Sequence, residues 1–418
     1  MKTTPFILFI ALIFSASGMK AQDTLKVSVE QIDSLFVQNS LMLLAEKYSV
    51  DAKQFLIQQE RLWNNPTISA EVSAYNWDTQ KTFDVGQKGE KIFTAQQLIL
   101  LAGKRDKRIN IAKYEAQISE QEFYSLSRAL KFQLRTSFYS LYFSQRTIKA
   151  LEMQFNSLDE TINAMEIQYA KGNIPYKDLM RLEALQFELS NILLEHRYSI
   201  EEELKTLRVL VNSDKIISPI MNENSLKKYK MDSIAIENLI DVGLMNRSDL
   251  KIQELTVEKS KWNYSLQKAM SVPDLRIGGI YDQAGSYIQN YVGVNVTMDL
   301  PVFNRNQGNI KAARAEVERQ KFYYTNKQLE IKNEIYMSIQ KVRQSETLYQ
   351  SVDKKFTQGF VEINGGILEN FKKKNISIIE FVDFFETYNG VINQLNELNS
   401  KRIDAYEELN YNTGKELF

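Results

Sequence analysis

The chain has 418 residues, with 52 basic and 52 acidic side chains and no cysteine. Balanced charge argues against a nucleic-acid binder, which carries a basic excess. The missing cysteines exclude disulfides, thiol metal sites, catalytic thiols and a lipid-bearing N-terminal cysteine.

Charged residues make up 25% of the chain, too many for a helical membrane protein, and only 16 glycines and 6 prolines interrupt it. Long unbroken helices are therefore expected. The N-terminal stretch MKTTPFILFIALIFSASGMKAQ has a basic Lys2, a short apolar run from Phe6 to Phe14, and small residues before a cleavage point after Ala21. It reads as a secretory signal over 1–21, too short in its apolar core to span as a helix.

A helix is expected near 28–63. Short strands follow. Ile68, Ala70, Val72 and Ala74 alternate with Ser69, Glu71 and Ser73, and a second strand is expected over 91–101. From Lys104 to Lys171 a heptad seam runs through Ala112, Ala116, Ser119, Phe123, Leu126 and Leu130. It passes a stutter at Leu134, Phe138 and Leu141 and resumes from Ile148 to Tyr169. A helix of that span is about 100 Å long, twice the width of a compact globule of this size. KGNIPYKDL then stops it, with Gly172 as C-cap and Pro175 opening a return helix striped with Leu179, Leu182, Leu189, Ile192 and Leu193. Residues 213–245 read as a less regular connector.

The pattern then recurs about 200 residues on. NNPTISAEVSAYN resembles SVPDLRIGGIYDQ, RINIAKYEA resembles NIKAARAEV, and KGNIPYKDL resembles KKNISIIEF. This duplication divides the mature chain into 22–245 and 246–418. Each unit holds a helix, two strands and a long helical hairpin. In the fourth strand Val292, Val294, Val296, Met298 and Leu300 alternate with Gly293, Asn295, Thr297 and Asp299. Strands of this length with one apolar and one polar face suit a transmembrane barrel. Glu71, Asn295, Thr297 and Asp299 would then face the lumen. Tyr75, Trp77, Tyr281, Tyr287 and Tyr291 at the strand ends would form an interfacial belt. A soluble hairpin sheet is the alternative. Four strands cannot close a barrel, so a homotrimer is expected. In LPVFNRNQG, Pro301 ends the last strand, Asn306 is expected to cap a helix of some sixty residues, and Gly308 to free the bend, as Gly103 would in the first unit.

These segments, above all GKRDKRINIAKYEA, KGNIPYKDLMRLEA and LPVFNRNQGNIKAARAE, resemble the TolC-like outer-membrane efflux protein family. The last is similar to its heavy-metal-cation branch, the CzcC- and CusC-like channels. The resemblance implies a mainly α fold with a small β part: long antiparallel coiled-coil hairpins and four transmembrane strands per chain, assembling into a trimeric α/β barrel. It also implies outer-membrane lipid around the strands, a periplasmic adaptor and an inner-membrane pump as partners, and no cofactor.

In SIIEFVDFF, Glu380 and Asp383 share one helix face. By residues alone they are carboxylates favoured near a helix N-terminus. By resemblance they line a pore constriction, with Phe371 and Ile376 standing where related drug channels carry a tyrosine and an arginine latch, and Lys372, Lys373 and Lys374 as substitutes. The turns, with Lys171, Gly172, Asn173 and Ile174 in one and Lys374, Asn375 and Ile376 in the other, are expected to dock the adaptor. The single histidine, His196, reads as a surface residue, the methionines as core filler, and no metal or catalytic site is expected. The implied function is a passive exit duct for metal cations. A drug or type I secretion duct remains open, as does a periplasmic coiled-coil spacer.

Overall fold

The computed structural model describes residues 23–222, 226–230, 236–285, 287–352, 363 and 365–418. The signal segment therefore lies outside the described residues. In chain order the elements begin with β1 (Thr24–Val27), α1 (Val29–Asn39), α2 (Leu41–Glu60), β2 (Thr67–Val72), β3 (Tyr75–Asn76), β4 (Lys81–Thr82) and β5 (Lys91–Ile99). They continue with α3 (Lys104–Ala170), α4 (Tyr176–Leu210), β6 (Ile216–Pro219), α5 (Ile236–Asn246), α6 (Ser248–Ala269), β7 (Leu275–Asp282), β8 (Tyr291–Met298), α7 (Gln307–Ser351) and α8 (Ile378–Thr413). The fold is mainly helical with a small strand part, as the sequence implies.

The 67 residues of α3 form one uninterrupted helix, about 100 Å long. Its seam is the buried one: Ala112, Ala116, Ser119, Leu134, Phe138, Leu141, Leu151, Leu158 and Ile162 are all buried. α4 returns antiparallel along it, burying Leu179, Leu182, Leu189 and Leu193. Two expectations need correction. The single helix over 28–63 is two helices, because Ser40 adopts extended backbone (φ −60°, ψ 113°) and caps α1 through its own N–H to the Phe36 carbonyl. Serine favours such cap conformations over helix interiors. The helix after Asn306 has 45 residues, ending where Val352 turns extended (φ −75°, ψ 106°), a backbone that suits its β-branched side chain. Residues 353–362, which the longer helix would have included, lie outside the described residues.

The main sheet has the strand order β2-β5-β7-β8, antiparallel throughout. The helices beneath repeat that order: α2 packs on α3, α3 on α6 and α6 on α7. Both layers therefore have two open edges, at β2 and α2 on one side and at β8 and α7 on the other. Three clasps tie each strand-to-helix crossing to its neighbour. The Arg105 guanidinium lies over the Trp63 ring at 4.6 Å and donates to the Arg61 carbonyl. Buried Lys104 donates to Asp274 (2.6 Å) and to the Val272 carbonyl (2.7 Å). Asn306 Nδ2 donates to the Gln267 carbonyl (2.8 Å).

The last clasp corrects the reading of Asn306. It occupies the N-cap position in the left-handed region (φ 59°) and its side chain makes no capping bond. It matches Gly103, the left-handed N-cap of α3 (φ 65°). Gly308 lies inside α7, so the bend is made by Asn306, a residue type that tolerates αL.

Two cores stabilise the helices. One lies at mid-length, where α1, α3, α5, α7, α8 and the end of α4 meet around Ile32, Phe36, Phe138, Ile335 and Leu409. Its charged centre is Arg135, which pairs with Asp33 (2.7 Å), Glu407 (3.3 Å) and Glu416. The second lies at the far end of the hairpins, around Leu158, Ile162, Leu182, Phe381 and Phe385.

Candidate functional site

The pairing register sorts the sheet into two faces. Directly opposed residues share a face, and faces alternate along each strand. One face therefore carries Ile68, Ala70, Val72, Phe93, Ala95, Ile277, Gly279, Tyr281, Val292, Val294 and Val296. It is exposed in the single chain, with Val294 at 80% and Ile68 at 77% of full accessibility. The opposite face carries mostly polar residues, Ser69, Glu71, Thr94, Gln96, Arg276, Asn295 and Thr297, with Ile92, Leu98 and Ile280 among them. A wide apolar surface backed by a polar one suits lipid on one side and water on the other.

Of the four residues expected on the lumenal side, Glu71, Asn295 and Thr297 lie together on the polar face. Asp299 lies just past β8, in a cleft of about 340 Å³ beside Lys104, Asp274, Arg276 and Thr297. Gly278 stands opposite Asn295 in the ladder, and a Cβ there would sit 2.5 Å from both the Ala95 carbonyl oxygen and Asn295 Oδ1. Gly278 thus serves close strand packing.

Beyond the sheet, Asp84 organises the 77–90 loop, accepting from Asn76 Nδ2 (3.2 Å), Thr79 Oγ1 (2.6 Å) and the Gly86 N–H (3.0 Å). Gln283 Nε2 donates to the Gly86 carbonyl (3.0 Å) and joins the second loop to the first.

At the other end of the molecule the two turns are built alike. Gly172 and Lys374 both take left-handed backbone, at φ 73° and 61°. The Asn173 N–H donates to the Gln168 carbonyl and the Asn375 N–H to the Asn370 carbonyl, each at 2.9 Å. These are the closing bonds of a helix C-terminus with an αL residue. Pro175 and Ser377 then open α4 and α8 with the same extended backbone. Lys171, Gly172, Asn173, Lys374 and Asn375 are exposed, while Ile174 and Ile376 are half-buried.

Glu380 is exposed and forms a capping box with Ser377. Its carboxylate accepts from the Ser377 N–H (2.8 Å), and Ser377 Oγ accepts from the Glu380 N–H (3.2 Å). The Ser377 backbone and side-chain hydrogen bonds hold its carboxyl below the usual glutamate value. Asp383 is exposed one turn further on. Sequence reasoning missed Glu386, the next step in that i, i+3 series. Burial, then Glu188 and Asp383, push its carboxyl up, so Glu188 of α4 belongs to the same acidic region.

Phe371 is buried in the hairpin core with its ring stacked on Phe381 at 4.3 Å, away from the exposed carboxylates. Lys372 pairs loosely with Glu160 of α3 (3.8 Å) and Lys373 with Glu369 (3.2 Å). His196 is not a free surface residue: its Nε2 meets Asn393 Oδ1 at 2.9 Å, linking α4 to α8.

A two-faced antiparallel sheet mounted on long helical hairpins, open at both edges, is one segment of an α/β barrel channel wall. Residues 34–213 match the outer membrane efflux protein family. Among curated proteins it is similar to the cobalt-zinc-cadmium resistance protein CzcC of Cupriavidus metallidurans, 20% identical over 377 residues, covering 88% of this chain and 87% of that protein. Among solved structures it superposes on the Campylobacter jejuni CmeC outer membrane channel with a TM-score of 0.77 at 13% identity, covering 92% of this chain and 85% of that one. CusC gives 0.75 at 14% identity, with 93% and 92% covered. Vibrio cholerae VceC gives 0.73 at 15%, with 93% and 97% covered. These likenesses establish a TolC-like fold. The matched family is one of outer-membrane proteins, and the solved structures the chain superposes on are outer-membrane channels.

Proposed function

We propose that three copies of this chain close into one twelve-strand barrel and one helical tunnel, the exit duct of a tripartite efflux system. The observation that carries this reading is the pair of matched open edges. The sheet is unpaired at β2 and β8. In the helix layer α2-α3-α6-α7 the outer members are α2 and α7, and both of these helices expose apolar residues at heptad spacing. Leu41, Tyr48 and Phe55, with Leu62 just beyond, run along the α2 edge, and Phe322, Leu329 and Tyr336 along α7. Exposed strand edges and coiled-coil seams on one chain call for another copy. A soluble spacer would gain nothing from the apolar face of the sheet. Heat-modifiable trimers in outer-membrane fractions, with ion conductance in planar bilayers, test the duct. Soluble periplasmic protein without conductance would contradict it.

The cargo we infer is metal cations, on the likeness to CzcC. The duct would conduct them without tight chelation, since the chain has no cysteine and one histidine. Three copies of Glu380 and Asp383 would form the constriction at the periplasmic end, with Glu386 beside them. The twin turns with Lys171–Ile174 and Lys374–Ile376 would meet the adaptor, which links the duct to an inner-membrane pump. Deleting the gene should sensitise cells to cobalt, zinc or cadmium. Sensitisation to drugs alone would reassign the cargo.

A further inference from the structure

Asp404 lies in the last third of α8, beside the mid-length core and where that helix passes α4, and among the described residues its buried Oδ1 has no hydrogen-bond partner. The groups that face it are acidic: Glu203 from α4, and Glu407 and Glu408 from the following turn of its own helix. Among the described residues, several cations on the surrounding elements are engaged elsewhere, and Lys228 of the 226–230 segment lies over the Tyr229 ring at 4.9 Å. Arg135 of α3 holds Asp33, Glu407 and Glu416, and Lys131 of α3 holds Asp33 and Glu416. Lys341 of α7 holds Glu408. On α8 itself Arg402 holds Glu346 and Lys401 holds Glu397. Lys205 of α4 is exposed. Burial and these carboxylates push the Asp404 carboxyl up to about 7.

We propose that Asp404 is a proton-operated strut between α4 and α8, the two helices that rise from the periplasmic turns. With its proton in place the helices sit together. Ionised, Asp404 repels Glu203 and drives them apart. α4 starts at Tyr176 and α8 at Ile378, so a change in their spacing at mid-length reaches the turns as a change in splay. Small shifts at packed helices are transmitted in this way. The device therefore loosens the periplasmic end as pH rises through neutrality and tightens it in acid.

The sign for stability follows from linkage. A carboxyl raised above its unfolded value near 4 imposes no penalty below that pH, a growing one up to about pH 7, and its full penalty above. The inference rests on the channel reading only for its conductance arm.

The cysteine-free chain allows clean labelling. Spin labels at exposed Lys205 and Lys401, each replaced by cysteine in the full-length protein, report the α4–α8 distance between pH 5.5 and 8.5. The distance should lengthen with a midpoint near pH 7. Asp404→Asn should keep the acid-side distance at every pH, and Glu203→Gln should move the midpoint to lower pH. Thermal melts should show Asp404→Asn matching wild type below pH 4 and exceeding it by a margin that grows up to about pH 7 and holds at pH 8, which also establishes that the variant folds. Open probability in planar bilayers should rise over the same window. A distance that ignores pH, or an Asp404→Asn variant with the wild-type response, overturns the strut. A pH-dependent distance in a protein that never conducts upholds the strut and fails the channel reading instead.

Discussion

Gly172 and Lys374 occupy the same left-handed position in the two periplasmic turns, yet only one is glycine. A side chain in that conformation costs about 1–2 kcal/mol. Lys374→Gly should therefore raise stability by about 1 kcal/mol and Gly172→Ala lower it by about 1 kcal/mol. Paired thermal melts check both, and a Lys374→Gly variant less stable than wild type would mean that the lysine makes a compensating contact. Asp249 gives a pH signature. Burial works to raise its carboxyl, but Arg247 (2.6 Å), Arg128 (3.3 Å) and Lys327 (3.2 Å) outweigh burial and hold it well below the usual range. A depressed carboxyl stabilises the fold above its unfolded value near 4, and that stability is lost as pH falls below it. Asp249→Asn should cost about 3 kcal/mol at pH 7 by removing the carboxylate charge that Arg247, Arg128 and Lys327 share. It should also lose less than wild type on acidification, measured by melts from pH 7 to pH 3. At this scale the KGNIP turn was legible because glycine and proline punctuate it. The capping box was also there to be found, as Ser377 and Glu380 three apart ahead of an apolar run. Asp404 was not legible, because its environment depends on which residue of α4 comes to face it.

Strand alternation and helix heptads set the elements, and their pairing gives them consequences. The register puts Val294 on the apolar face and Thr297 on the polar one. Val294→Arg should cost about 2–4 kcal/mol near the bilayer midplane, while Thr297→Arg should be tolerated. Trimer yield in the outer membrane separates the two, and equal yields would refute the facing. The edge helices make a second test. Phe322→Asp and Phe55→Asp alter side chains exposed in the single chain, so each protomer should still fold, while trimers should be lost in detergent. Helices α3 and α4 were readable from their seams nearly to the residue. The break at Ser40 was not, since the heptad-like pattern continues across it and only a local choice of extended backbone divides α1 from α2. Val352 ends α7 for a similar local reason.

For the whole molecule, the duplication we propose from the sequence would account for the strand order β2-β5-β7-β8 over the helix order α2-α3-α6-α7, each unit contributing two strands and the two helices joined to them. The sheet keeps its open edges because, among the described residues, nothing pairs β8 with β2. That need for neighbours was visible in the sequence as too few strands for closure. The clasps that stiffen the collar, Lys104 on Asp274 and Asn306 on Gln267, were not, since they join residues far apart in the chain. Closure between copies is the central claim, and the natural absence of cysteine makes it directly measurable. Single cysteines placed along β2 (67–72) and β8 (291–298) should be paired, one on each edge, and oxidised in outer membranes. At a matching register the account predicts covalent dimers and trimers that disappear on reduction, with none from either cysteine alone. If every β2–β8 pair yields only monomers, the edges do not meet and the barrel is not built from three copies of this chain.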